Sequence, residues 1–330
     1  MQSVNELLAH CKKVINANAS VMTTTTMNIF SESTREQLMV EMTGSNFKVQ
    51  EAVSFIRETK WQTSVICESV TIHVLHRARD INADVPVSQV QRVAWRVACM
   101  FRVLGMQGPM VYWFIPSLAT KVFPEISRCV DKSHVNSAYT YTDGHEVYIY
   151  RREEFPKVML HEALHHSQFD TGSRWEQPLL KRVFQKFSIS PETKLRPNEA
   201  IVETWAELFH LAFISHEYNL DFKKLYAMEL QWSLQQARRI VSRQGGGGGG
   251  IGPWKEKTHA YSYYVIRSFF MFDPNAFVRI AREKKSIIRL RASYMDLAEK
   301  IADSRAYRSA IREASVPKHA CFRMTLFGDL

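Results

Sequence analysis

The chain has no C-x-x-C pair, no apolar run of eighteen residues and no phosphate-binding loop. Its five cysteines, Cys11, Cys67, Cys99, Cys129 and Cys321, are odd in number and scattered. That pattern argues against a disulfide framework and a Cys-rich zinc knuckle, and it fits a reducing, intracellular setting. Without a long apolar run no transmembrane helix is expected, and no membrane partner. The segment Met1 to Asn16 is interrupted by Glu6, His10, Lys12 and Lys13, so it does not read as a secretory signal. The sequon Asn18-Ala19-Ser20 is then expected to be idle. Glycine is scarce outside one run: six of the 13 glycines are Gly245 to Gly250. No Lys-Ser/Thr follows that run, so it is read as a flexible loop and not as a phosphate cradle. No internal repeat is visible.

What is present is ordinary for a globular chain. Of 330 residues 45% are hydrophobic and 23% charged, which excludes wholesale disorder. Lys+Arg number 43 against 33 Asp+Glu, a net charge of +10. That surplus allows an acidic partner or substrate without specifying one. Basic residues concentrate late, from Arg279 to Arg312. They interleave with apolar positions at helical spacing, so a solvated helix face is expected before a nucleic-acid surface, and no nucleic-acid-binding motif accompanies them.

The texture changes along the chain. Val4, Leu7, Leu8, Cys11 and Val14 fall on one helical face. Met22 to Met27 reads as a linker, and helical texture is read from Ser33 to Thr59 and from Gln62 to Arg79. Val87 to Leu104 carries a strong helical stripe, closed by Gly105. Met110 to Ile115 is a short apolar run that predicts a buried strand. Ser137 to Thr142 and His145 to Tyr150 flank Asp143-Gly144 and predict a hairpin. Helices are expected over Arg152–Phe169, Pro197–His216, His259–Phe272 and Pro274–Lys300. The order predicts an α+β fold, mainly helical with a small antiparallel sheet. Residues 1–85 are expected to form a helical N-terminal region. Residues 86–330 would be the catalytic domain, with the sheet and motif helix in 86–190 and a helical half in 191–330.

The chemistry-bearing stretch is His161-Glu162-Ala163-Leu164-His165, an H-E-x-x-H motif. On a helix, positions i and i+4 share a face, so both imidazoles can reach one metal ion, with the Glu162 carboxylate beside them to hold a water. In a chain of this composition chance supplies roughly 0.03 such matches. Its flanks permit a helix: Phe155, Val158, Met159, Leu160 and Leu164 are apolar, and Pro156 sits where a helix start tolerates proline. Glu146 to Tyr150 directly precedes it and is expected to be an edge strand that pairs with an extended substrate. Catalytic zinc needs a third protein ligand. Glu199 and Glu203 lie one turn apart on an otherwise apolar helix. One can bind metal while the other fixes a ligand histidine through its second ring nitrogen.

H-E-x-x-H followed by a helix carrying N-E-x-x-x-E resembles the gluzincin metallopeptidases, over about Met110 to His216. The chain also resembles, more faintly, metallopeptidases of large cytoplasmic DNA viruses, which would place it in the virion or host cytoplasm. The resemblance implies a zincin-like fold with an active-site cleft between an α+β half and a helical half, and Zn2+ as cofactor. It implies His161, His165 and Glu199 as zinc ligands, Glu162 as general base and Glu203 as partner of a ligand histidine. The gap from His165 to Glu199 is longer than in thermolysin, so Glu203 and Glu207 stay open as third ligands. Gluzincins commonly use a downstream His or Tyr as oxyanion donor, and His259 and Tyr263 are the candidates, with Arg267 continuing their face. The metzincin pattern fails, because Gln168 and Thr171 stand where Gly and His are required, and Asp170 is out of register. The expected function is zinc-dependent hydrolysis of a protein or peptide. The rivals are a non-catalytic zinc-bearing scaffold, a basic nucleic-acid- or protein-binding module, and a zinc hydrolase of a non-peptide amide.

Overall fold

The computed structural model describes residues 3–18, 21–44, 50–80, 82–106, 108–125, 128–141, 146–167, 175–244, 252–282, 291–316 and 321–330. In chain order these form α1 (Val4–Ala17), β1 (Thr24–Ile29), α2 (Glu32–Gly44), α3 (Gln50–Glu58), β2 (Trp61–Cys67), β3 (Val70–His76), α4 (Val87–Leu104), β4 (Met110–Phe114), α5 (Lys132–Val135), β5 (Ala138–Thr140), β6 (Glu146–Ile149) and α6 (Phe155–His166). Then follow α7 (Gln177–Lys186), α8 (Asn198–Glu217), α9 (Phe222–Val241), a π-helical turn (Tyr261–Ile266), α10 (Arg267–Phe272), α11 (Pro274–Arg282), α12 (Arg291–Asp303) and α13 (Arg305–Glu313). The fold is α+β, mostly helical, with one mixed sheet of six strands. No described helix is long and apolar enough to cross a membrane.

The chain divides into two compact units that do not break at residue 85. One comprises His10–Lys121, Asn136–Gln168 and Gly328–Leu330, and contains the whole sheet. The strand order is β1-β2-β3-β4-β6-β5. β1/β2, β2/β3 and β5/β6 pair antiparallel, but β3/β4 and β4/β6 are parallel, so the expectation of a small antiparallel sheet is corrected. The expectation of a helical residue 1–85 region is corrected as well, because half of the strands come from it. The linker at Met22 to Met27 falls largely in β1, and the helix read over Gln62 to Arg79 is the β2–β3 hairpin. That hairpin turns in two residues, with Glu68 at φ 55° and its carboxylate bonded to Arg102. No Gly or Asn marks the turn, so the chain from Gln62 to Arg79 shows no local hairpin signal.

Other elements follow their sequence signals. α4 ends where Gly105 takes a left-handed φ of 66° and Met106 N–H reaches the Phe101 carbonyl. That is the glycine C-cap its position predicts. The buried faces of α2 and α3 (Leu38, Met42, Phe55, Ile56) pack with Leu75, Ile115 and Tyr150 of the sheet region. β4 and the β5–β6 hairpin lie where the sequence places them, although its Asp143-Gly144 turn lies outside the described residues.

The second unit comprises Met1–Ala9, Val122–Val135 and Phe169–Phe327. Its core is aromatic: Trp205 of α8 packs on Phe277 of α11, which meets Phe270 of α10 and Tyr294 of α12. Of the long helix expected over Pro274–Lys300, the described residues contain α11 and α12; residues 283–290, with Lys284, Lys285 and Arg289, lie outside the described residues. So do the hexaglycine run and Asp170.

Candidate metal-binding residues

Within the sheet-bearing unit, α6 is seated before its chemistry begins. Glu154 precedes it at φ 60°, and its carboxylate accepts a 2.6 Å bond from Lys121, with both side chains fully buried. Glu153 accepts from the Lys121 backbone N–H. Tyr112 of β4 donates from its hydroxyl to the Met159 carbonyl at 2.8 Å, and Phe114 stacks on Phe155 at 4.5 Å. These ties hold a helix whose first ten residues are all buried, polar His161 and Glu162 included.

On that helix His161 and His165 turn the same way. Their Nε2 atoms are 3.0 Å apart. Two ligand atoms about 2 Å from one tetrahedral ion lie roughly 3.3 Å apart, so the pair is close to the spacing of two metal ligands. The same distance also suits an N–H···N bond between two neutral rings of complementary tautomer. His166 faces elsewhere, its Nε2 3.4 Å from the Pro109 carbonyl. The Glu162 charge reaches two phenols of the unit. Burial first, then that charge, pushes Tyr112 well up; burial and Glu162 also push Tyr150 up, against Arg151.

The strand expected at the sheet edge is not there. β6, which contains Glu146 to Ile149, is flanked by β4 and β5, so its backbone hydrogen-bonding groups are spent on both sides. The edge strands are β1 and β5. Glu146 is occupied by Trp113 Nε1 at 3.1 Å and by the Tyr148 hydroxyl at 2.6 Å.

Within the helical unit, Glu199, Glu203 and Glu207 form one buried acidic stripe along α8, at i, i+4 and i+8. Opposite it run Tyr263, on the π-helical turn, and Arg267, at the start of α10. The Tyr263 hydroxyl donates to Glu199 Oε2 at 3.1 Å. Arg267, fully buried, lies 3.5 Å from Glu203, 3.3 Å from Glu207 and 3.6 Å from Glu229 of α9. Burial opposes its charge, but the Glu207, Glu203 and Glu229 carboxylates raise its pKa overall. The acidic residues therefore differ. Glu203 and Glu207 face a guanidinium, whereas Glu199 has a neutral hydroxyl.

His259 lies one turn before Tyr263, whose backbone N–H donates to the His259 carbonyl at 3.0 Å. The turn that follows is π-helical, and the two rings meet edge-on with centroids 6.3 Å apart. Burial lowers the His259 pKa, partly offset by the Glu199 charge. The start of the π turn is held by Glu256, whose carboxyl group accepts from Tyr261 N–H at 3.0 Å. Burial pushes the Glu256 carboxyl up to about 8. His210 Nε2 meets the Phe327 carbonyl at 3.1 Å.

Sequence reasoning missed Glu229 and Thr325 altogether. Glu229 sits in an amphipathic helix where a glutamate reads as surface, and Thr325 lies in irregular chain near the C-terminus. Arg267 was legible only as a continuation of the Tyr263 face; a lone arginine in the run Tyr261 to Phe272 was the available signal for a buried ion pair. The late basic residues are partly neutralised, since Arg308 pairs with Asp303, which also takes Lys186. Comparison of the chain with family models, with curated proteins and with solved structures yields no match.

Proposed function

We propose that the protein is a zinc-dependent metallopeptidase of the zincin type, with His161, His165 and Glu199 as the metal ligands. The observation that carries the proposal is the paired Nε2 atoms of His161 and His165, 3.0 Å apart on one buried helix with Glu162 between them in sequence. Two imidazoles and a carboxylate are the donor set of a catalytic zinc with an open position. In this reading the sheet-bearing unit supplies the two imidazoles and the helical unit supplies the carboxylate. Glu199 suits the third place better than Glu203 or Glu207, because those two already face Arg267.

A zinc ion bound there supplies Lewis-acid polarisation of a carbonyl and makes water more acidic. The remaining work falls to the chain. Glu162, one residue from His161, is placed to take a proton from the attacking water and pass it to the leaving amine. Of His259 and Tyr263, His259 is the one we assign to stabilising negative charge on the substrate, since the Tyr263 hydroxyl is engaged by Glu199.

The test is a pair of proteins. Wild type is expected to carry about one zinc per chain and to cleave peptides. Glu162→Gln is expected to keep the metal and lose at least 100-fold in turnover, the usual size of a general-base contribution. A Glu162→Gln protein that cleaves as fast as wild type would sink the assignment.

A further inference from the structure

We infer that Tyr263 is a positioning residue for Glu199, held in place by the buried Arg267, and is not the oxyanion donor that its place in the sequence suggests. The inference rests on the metallopeptidase proposal and deepens it.

Three observations within the helical unit carry it. The Tyr263 hydroxyl has one proton, and its partner is Glu199 Oε2 at 3.1 Å. A carboxylate with one oxygen bound by a donor presents the other oxygen in a fixed direction, which is how outer partners orient metal ligands. Next, the contact depends on the register between α8 and the segment Tyr261–Phe272. Tyr263 and Arg267 are four residues apart, and so are Glu199 and Glu203. Arg267 engages Glu203 and Glu207 on that same helix and Glu229 on α9, so it ties three helices at the turn after Tyr263. Finally, the backbone carrying Tyr263 is a π-helical turn, a form found mostly as isolated turns at functional positions.

Three carboxylates surround one guanidinium, all of them buried. Thr325 Oγ1 lies 3.0 Å from Glu207 Oε1 and 2.9 Å from Glu229 Oε2. A hydroxyl donates only one proton, so the second contact calls for a proton on a carboxyl group. Burial, reinforced by the Glu207 charge, raises the Glu229 pKa well above its ordinary value.

An oxyanion donor and a ligand-positioning residue fail differently. Removing an oxyanion donor costs about 100- to 1,000-fold in turnover and leaves metal affinity alone. Removing an outer partner of a ligand costs about 10- to 100-fold in metal affinity. Tyr263→Phe keeps the ring and the packing, so it separates the two. The readouts are zinc affinity by chelator competition and the visible spectrum of the cobalt(II)-substituted full-length protein. The expected result is a 10- to 100-fold weaker affinity and shifted cobalt bands. Unchanged affinity and spectrum would overturn the inference, whatever happens to turnover. Arg267→Lys tests the second half. If Arg267 acts through Tyr263, it also weakens zinc binding, and the double variant Tyr263→Phe/Arg267→Lys loses no more than the worse single variant. Additive losses, or full affinity in Arg267→Lys, would overturn the role given to Arg267. Wild type that takes up no zinc is a separate outcome, because it sinks the metallopeptidase proposal itself.

Discussion

Replacing Glu256 by glutamine isolates the energetic consequence of one buried carboxyl group. Glu256 holds the first turn of the π-helical segment through Tyr261 N–H, and burial pushes its pKa from 4.5 up to about 8. In the unfolded chain it ionises near its ordinary value. Below pH 4.5 both states hold the proton and the group costs nothing. Between pH 4.5 and 8 the unfolded state gives the proton up while the folded state keeps it, so stability falls as pH rises. Above pH 8 both are ionised and the loss is complete. At about 1.4 kcal/mol per pH unit over some three to four units, the full loss is roughly 4–5 kcal/mol. Glutamine is close in shape to the protonated acid, and its amide oxygen can still accept from Tyr261, but it does not titrate. Urea unfolding of both proteins between pH 5 and pH 9 gives the answer. The two should be of similar stability near pH 5, and Glu256→Gln should be the more stable by several kcal/mol at pH 9. Other titrating groups cancel in the difference. Two curves that stay parallel across the range would refute the argument.

Two further variants test the frame around the candidate site. Lys121→Met leaves the Glu154 carboxylate buried without its cation at the start of the motif helix, and is expected to cost about 3–5 kcal/mol in urea unfolding at neutral pH. Ser188→Gly places glycine at an exposed residue with φ 48°, and is expected to stabilise the protein by about 1 kcal/mol, read as a rise in melting temperature of a few degrees.

What the sequence made legible, and what it did not, follows from how local each signal is. α4 is readable because its apolar stripe, Pro86 and Gly105 all lie within twenty residues. The motif helix is readable for the same reason. The β2–β3 hairpin is not, because its turn uses Glu68 and Ser69 without the Gly, Asn or Asp that marks a two-residue hairpin loop, and Glu68 takes φ 55° beside Arg102. The parallel pairing of β3, β4 and β6 joins strands separated by long crossings, so no short-range pattern encodes it. That crossing order put β6 inside the sheet and removed the edge role expected of Glu146 to Tyr150. At the candidate site, the spacing of His161, Glu162 and His165 is what suggests a metal, and the Glu199–Glu203 spacing what suggests a shared face. The difference between Glu199 and its neighbours comes from Arg267 and Glu229, which approach from other helices. No spacing on α8 alone distinguishes the three acids.

Zinc content of the purified full-length protein, measured by elemental analysis beside Glu199→Ala, tests the central claim most directly. Three protein ligands in wild type predict about one zinc per chain after incubation with zinc and gel filtration. With only the two histidines left, Glu199→Ala is expected to lose most of it. A wild-type chain that stays metal-free, or a Glu199→Ala chain that holds zinc as tightly as wild type, would contradict the account.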